Sequence, residues 1–168
     1  MRVLGVDPGL VTTGYGVVEF LGRNLSLVEA GVVRADPNLS LERRLAVLYD
    51  GVLQVFRELS PDAMALEEVY SRYEYPRTAI LMGHARGVIC LAAAHCNVPV
   101  FSYAASHVKS VITGSGSASK EQVQHMVMAR LDLRRVPRPN DVADALAVAI
   151  CHGNLATMYS SAASGGGQ

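Results

Sequence analysis

Cysteine is scarce in this 168-residue chain, which has only Cys90, Cys96 and Cys151. An odd count at those spacings excludes a disulfide framework, and adding His95 and His152 still makes no paired zinc spacing. No uncharged apolar run reaches the ~18 residues that cross a bilayer. The most apolar stretch, 80–96, is interrupted by His84 and Arg86. The opening run Arg2-Val-Leu-Gly-Val-Asp7 reads as a strand and not as a basic region leading into an apolar stretch and a cleavage site, so no secretory signal is expected. No G-x-S-x-G nucleophile motif is present. These absences predict a cytoplasmic protein with reduced thiols and no membrane association.

Net charge is also missing, with 15 basic and 15 acidic residues. Half the residues are hydrophobic and 18% are charged, which excludes disorder for most of the chain. The charge is unevenly placed. Residues 1–69 carry six Lys/Arg and ten Asp/Glu, whereas residues 70–168 carry nine and five. Such asymmetry suits an acidic centre beside a basic surface, and equally an ordinary mixed surface.

The length fits one domain, expected over 1–157, with a Ser/Gly-rich tail over 158–168 expected to be disordered. Val3–Asp7 forms a short apolar strand broken by Pro8-Gly9. Two further strands, Thr13–Phe20 and Leu25–Val33, flank a turn at Gly22-Arg-Asn24. Leu41, Leu45, Leu48, Val52, Val55 and Leu59 mark one face of a helix, with Ser40 as its cap. Ala63–Glu67 and Val98–Phe101 read as two more strands, separated by a helix over about 78–96. That helix has small residues at Gly83, Ala85, Gly87 and 92–94, which suit close packing within the chain or against a second copy. Ser119 and Gln122 have capping-box spacing before a helix over about 120–131. Asn140 is expected to cap a last helix ending near Cys151.

Carboxylates stand in unusual places. Asp7 ends one apolar strand, and Glu67 and Glu68 end another. Asp141 and Asp144 open an otherwise apolar helix and share one face, three residues apart. Each has an ordinary alternative: a turn former, a solvated strand end, an acid favouring a helix N-terminus. Together, charged oxygens of this kind suit hard divalent cations. Two such ions ~3.5–4 Å apart clamp the attacking and leaving oxygens of a phosphodiester.

After Glu68 comes Val69-Tyr-Ser-Arg-Tyr-Glu-Tyr-Pro-Arg77, with three of the chain's ten aromatic residues interleaved with Arg72 and Arg77. Tyrosine faces stack unpaired bases while arginines hold phosphates, unless the loop folds back on the core. Residues 109–120 place a Gly/Ser-rich stretch between Lys109 and Lys120. It fails the P-loop pattern, because Ser119 stands where a glycine should precede the lysine. It reads either as a connector or as a loop gripping a DNA backbone. Arg130, Arg134, Arg135 and Arg138 extend the basic surface.

In order along residues 1–155, Gly5-Val-Asp-Pro-Gly-Leu, Thr13-Gly-Tyr-Gly-Val17, Ala65-Leu-Glu-Glu-Val69, Ala85-Arg-Gly-Val88, Gly114-Ser-Gly-Ser117, Lys120, Gln122-Val-Gln-His-Met126 and Asp141-Val-Ala-Asp-Ala-Leu146 resemble the RuvC Holliday-junction resolvases. The resemblance implies an α/β, ribonuclease H-like mixed five-stranded sheet flanked by helices. It implies a homodimeric, metal-dependent endonuclease of recombination and DNA repair that makes symmetric nicks in four-way junction DNA, leaving 5′-phosphate and 3′-hydroxyl ends.

By position, Asp7, Glu67, Asp141 and Asp144 would be the catalytic, metal-binding acids, with two Mg²⁺ per site and Mn²⁺ able to substitute. Lys109 and Lys120 match positions that hold DNA near the scissile phosphate. Tyr70 stands where family members often carry phenylalanine, and Arg72 and Arg77 join it as DNA contacts. The branch-migration proteins RuvA and RuvB are the implied partners. Two other readings stay open: a junction-binding scaffold without catalysis, and a phosphotransferase of the related actin/sugar-kinase superfold.

Overall fold

The computed structural model describes residues 1–22, 24–68 and 76–164. Five strands form one mixed sheet: β1 (Arg2–Asp7), β2 (Thr12–Leu21), β3 (Asn24–Arg34), β4 (Ala63–Glu67) and β5 (Val100–Tyr103). Their order is β3-β2-β1-β4-β5. The first three strands run antiparallel in sequence, and β4 lies parallel to both β1 and β5. Helices α1 (Leu41–Leu59) and α2 (Pro76–His95) cover one face, while α3 (Ala105–Thr113), α4 (Lys120–Arg130) and α5 (Asn140–Ser164) cover the other. This is the expected mixed five-stranded sheet between helices.

Side-chain alternation along the strands sorts the core into two layers. Leu4, Val6, Met64 and Leu66 point to α1 and α2. Val3 and Ala65 point the other way, to α5. Gly5 shares the face of Val3, and there α5 lies so near that a Cβ would sit 1.9 Å from the Ala145 carbonyl oxygen. Continuing the same two-residue period carries Asp7 and Glu67 onto the α5 face. Both β1 and β4 are fully buried between layers, which explains their unbroken apolar runs.

Several local expectations shift. The fifth strand starts at Val100 and not at Val98. Pro99 has no N–H to donate, so it joins the ladder only through its carbonyl, which accepts from the Met64 amide at 2.9 Å. Ser40 stands at the start of α1, but its hydroxyl donates to Glu42 and caps no backbone amide. Ser119 does cap α4, and the capping box with Gln122 is complete. The stretch after β5 is helical: α3 carries Lys109, so the Gly/Ser loop between the two lysines is confined to 114–119. The last helix runs beyond Cys151 to Ser164 and takes in part of the segment expected to be a tail. Residues 165–168 lie outside the described ones.

Candidate active site

The two strand-borne acids and the two helix-borne acids meet at one end of the sheet. β1 and β4 are in register with Val6 beside Leu66, so Asp7 and Glu67 end adjacent strands on the same side. Asp7 pairs with Gly14 across the β1–β2 ladder. Over Gly14 passes the start of α5: a Cβ there would lie 2.2 Å from the Asp141 carbonyl oxygen and 2.8 Å from the Asp141 Cβ. A glycine is therefore what lets Asp141 approach Asp7. Asp144, one turn further along α5, lines a cleft of about 240 Å³ with Glu67, Lys109 and Lys120. Glu68, by contrast, is exposed, and its amide donates to the Tyr103 carbonyl at 2.8 Å. Of the two neighbouring glutamates, only Glu67 faces the cleft.

The local backbone is held by groups whose role was not visible in the sequence. Buried Thr13 donates its hydroxyl to the Gly9 carbonyl at 2.6 Å and accepts from the Gly9 amide at 3.1 Å, closing the turn that follows Asp7. Arg86 reaches from α2 to the end of β4, donating to the Glu67 carbonyl at 2.6 Å and to the Ser102 hydroxyl at 2.5 Å. The sequence signal for Arg86 is a charge that interrupts the apolar stretch 80–96. Asn140 is at the head of α5, but its side-chain oxygen accepts from Gln124 at 3.2 Å and from Arg138 at 2.7 Å instead of capping its own helix. Gln124 is 6% exposed. Lys120 and Gln124, one turn apart on α4, therefore hold Asp144 and Asn140, one turn apart on α5.

The electrostatics of the cluster follow from its crowding. Asp7 is pushed up to about 7, first by burial and then by the charges of Asp144, Asp141 and Glu67, with Lys120 opposing. Glu67 is raised by burial and by Asp144, and lowered in turn by Lys109 and Lys120. Lys120 is raised, chiefly by its 2.6 Å hydrogen bond to Asp144 Oδ2. As arranged, no three Asp, Glu, His or Cys side chains converge as a coordination shell among the described residues. The donor set still fits a hard cation: four carboxylates are crowded enough to raise Asp7 and Glu67, and among the described residues the cation bonded to them is Lys120. Bound divalent ions would discharge that repulsion.

The remaining sequence candidates divide. Lys109 and Lys120 are brought to the cleft. Arg77 is exposed in the first turn of α2. Tyr70 and Arg72 lie outside the described residues.

Comparison with known proteins gives one consistent result. Residues 3–152 match the family model described as crossover junction endodeoxyribonuclease RuvC. A crossover junction endodeoxyribonuclease RuvC of Rhodopirellula baltica is 51% identical, covering 92% of this chain and 86% of that protein. One of Desulforamulus reducens is 44% identical, over 95% and 97% respectively. Among solved structures, T. thermophilus RuvC in complex with Holliday junction substrate superposes with a TM-score of 0.87 at 37% identity, covering 95% of this chain and 96% of that one.

Proposed function

The chain belongs to the RuvC family of crossover junction endodeoxyribonucleases, and on that premise we propose that it resolves four-way DNA junctions by paired, metal-dependent phosphodiester hydrolysis. The fold is ribonuclease H-like. The observation that carries the reading is the meeting of Asp7, Glu67, Asp141 and Asp144 from two strand ends and one helix, with two lysines on the same cleft. The scaffold and phosphotransferase readings have no support in the comparisons.

Asp7, Glu67, Asp141 and Asp144 would hold two Mg²⁺ ions, or Mn²⁺ in their place, that activate the attacking water and stabilise charge on the leaving 3′ oxygen. Lys109 and Lys120, which line the same cleft as Glu67 and Asp144, bind the phosphate and orient it toward the acids. Asp7 is partly buried at the end of a doubly covered strand, which strengthens its attraction for cations. Water adds to phosphorus, the bond to the 3′ oxygen breaks, and the products are a 5′-phosphate and a 3′-hydroxyl. Tyr70 and Arg72 are assigned to the opened junction centre on sequence grounds, with Arg77 beside them.

Two symmetric cuts need two sites, and the outer face of α2 supplies a surface for a homodimer. Ile80, Gly83, His84, Gly87 and Leu91 form a stripe there, with Ile80 61% and Leu91 48% exposed. By length and composition α2 is apolar enough to cross a membrane. A two-fold contact explains that apolarity, since the inner face already packs on the core through Ala85, Ile89, Ala92 and Ala93. RuvA and RuvB remain the proposed partners, and the cytoplasm the proposed location.

Incubation of the protein with a labelled synthetic four-way junction and with linear duplex, in Mg²⁺, Mn²⁺ or EDTA, tests this. Paired nicks in the junction alone, with metal alone, are expected. Equal nicking of the duplex would remove the junction specificity, and binding without nicking in either metal would favour the scaffold.

A further inference from the structure

The connection between α4 and α5 carries Arg134, Arg135 and Arg138, all exposed. With Leu27 of β3 and with Val142 and Leu146 of α5 they line a groove of about 510 Å³. Arg138 is already engaged, donating to Asn140. Nearby Arg130 is engaged too, with the Val111 carbonyl at 3.3 Å. Arg134 and Arg135 are in no ion pair among the described residues, and the only acid in the connection, Asp132, forms none either. Two guanidinium groups that no acid among the described residues neutralises thus line the groove, and their charge attracts anions.

The position of this groove relative to the catalytic cleft gives it meaning. The cleft is lined by Asp144 and Ala147, the groove by Val142 and Leu146. At ~100° per residue those pairs lie on opposite flanks of α5. The lysines therefore stand on one side of the first turn of α5, the arginines on the other, and Asp141 between them. A strand held at the acids by Lys109 and Lys120 must continue past that turn.

We infer that Arg134 and Arg135 form a second phosphate-binding track, which holds the backbone of the duplex arm running away from the cut. This rests on the junction-nuclease reading above and assigns to that site the arm it grips. Guanidinium groups suit the role, since they bind phosphate oxygens in a bidentate fork without reading sequence. The contact adds affinity that is equal for all arm sequences and sensitive to salt.

The test is equilibrium binding of a fluorescent four-way junction, without divalent metal, across 50–200 mM salt, by wild type and by Arg134→Gln/Arg135→Gln. Two lost phosphate contacts should lower the slope of log K against log salt by about 2. The affinity gap between wild type and variant should accordingly narrow roughly tenfold from the lowest to the highest salt. The half-saturating junction concentration for nicking should rise by the same factor as the dissociation constant. Each single variant should lower the slope by about 1, and Arg134→Lys/Arg135→Lys should retain most of it. A wild-type slope in the glutamine double variant overturns the inference, as does a loss confined to one arm sequence. Failure of the wild type to nick any junction in metal would instead overturn the nuclease reading, and the slope would still report on the arginines.

Discussion

Lys120 and Asp144 are 24 residues apart in the chain and 2.6 Å apart in space, joined by an ion pair at the mouth of the acid cluster. The lysine takes a place among the carboxylates that a divalent cation would compete for, and the same ammonium is a phosphate ligand in the proposed reaction. A divalent ion that neutralises Asp144 would free Lys120 for DNA, so on this reading metal binding and substrate binding are linked.

Replacing Lys120 by methionine should therefore separate the two roles. Metal binding to the DNA-free protein should tighten about two- to fivefold, because the competing pair is half-exposed and worth ~0.5–1 kcal/mol. Junction nicking should fall at least tenfold. Titration with Mn²⁺ followed by electron paramagnetic resonance measures the first, and gel assays the second. Unchanged Mn²⁺ affinity would show that the pair does not guard the site.

The raised Asp7 makes the metal-free protein acid-preferring. Folding holds a proton on Asp7 up to about pH 7, whereas the unfolded chain releases it near pH 4. The native state thus binds more protons across that interval, and stability falls as pH rises through it, by on the order of 4 kcal/mol. Below pH 4 the penalty is absent. Thermal unfolding in EDTA should show a midpoint several degrees lower at pH 8 than at pH 5, and Asp7→Asn should raise the pH 8 midpoint. Mg²⁺ should raise the wild-type midpoint at pH 8 and have little effect on Asp7→Asn. A wild-type midpoint that rises steadily from pH 5 to 8 in EDTA would contradict the buried, crowded Asp7.

Close approach of α5 to the sheet depends on missing side chains. In Gly14→Ala the new methyl meets the Asp141 backbone at 2.2–2.3 Å, where nothing flexible can yield. The helix must move off β2 and take Asp141 away from Asp7. The expected cost is about 3 kcal/mol or more, the range of severe overpacking, with nicking reduced beyond what the folded fraction explains. Denaturant unfolding and nicking assays on the soluble protein check both. A variant with wild-type stability would show that α5 lies farther from β2.

The α2 stripe makes the opposite kind of prediction. A Cβ at Gly87 meets nothing within 4 Å in the monomer. Gly87→Arg should therefore leave the monomer as stable or slightly more so, since glycine costs a helix about 1 kcal/mol. It should abolish dimerisation, by sedimentation, and with it the paired nicks. A dimer that survives would move the interface elsewhere.

Much of this site was legible in the sequence because it follows simple periods. Asp7 and Glu67 end short apolar strands, and alternation decides which face they take. Asp141 and Asp144 are three apart on a helix whose other residues are apolar. What the sequence did not show depends on tertiary contact. The helix that carries Lys109 leaves little local signal, because α3 is short and its flanking Ala104 offers no capping side chain. Hydropathy alone starts the fifth strand at Val98, two residues early, because it does not register the missing amide of Pro99. Ser40 has the residue type of a cap, but its hydroxyl is taken by Glu42. Arg86, Gln124 and the Lys120–Asp144 pair join segments far apart in sequence, and no local pattern announces such pairs.

Asp7 and its three companions are proposed as the chemical centre and not as part of the scaffold. The most direct measurement is nicking and binding of a four-way junction by Asp7→Asn, side by side with wild type in Mg²⁺ and Mn²⁺. Cleavage should fall by at least about a thousandfold, the scale of a lost catalytic group, while junction affinity stays within a fewfold of wild type. Cleavage at a wild-type rate, or loss of binding to the same degree as cleavage, would contradict it.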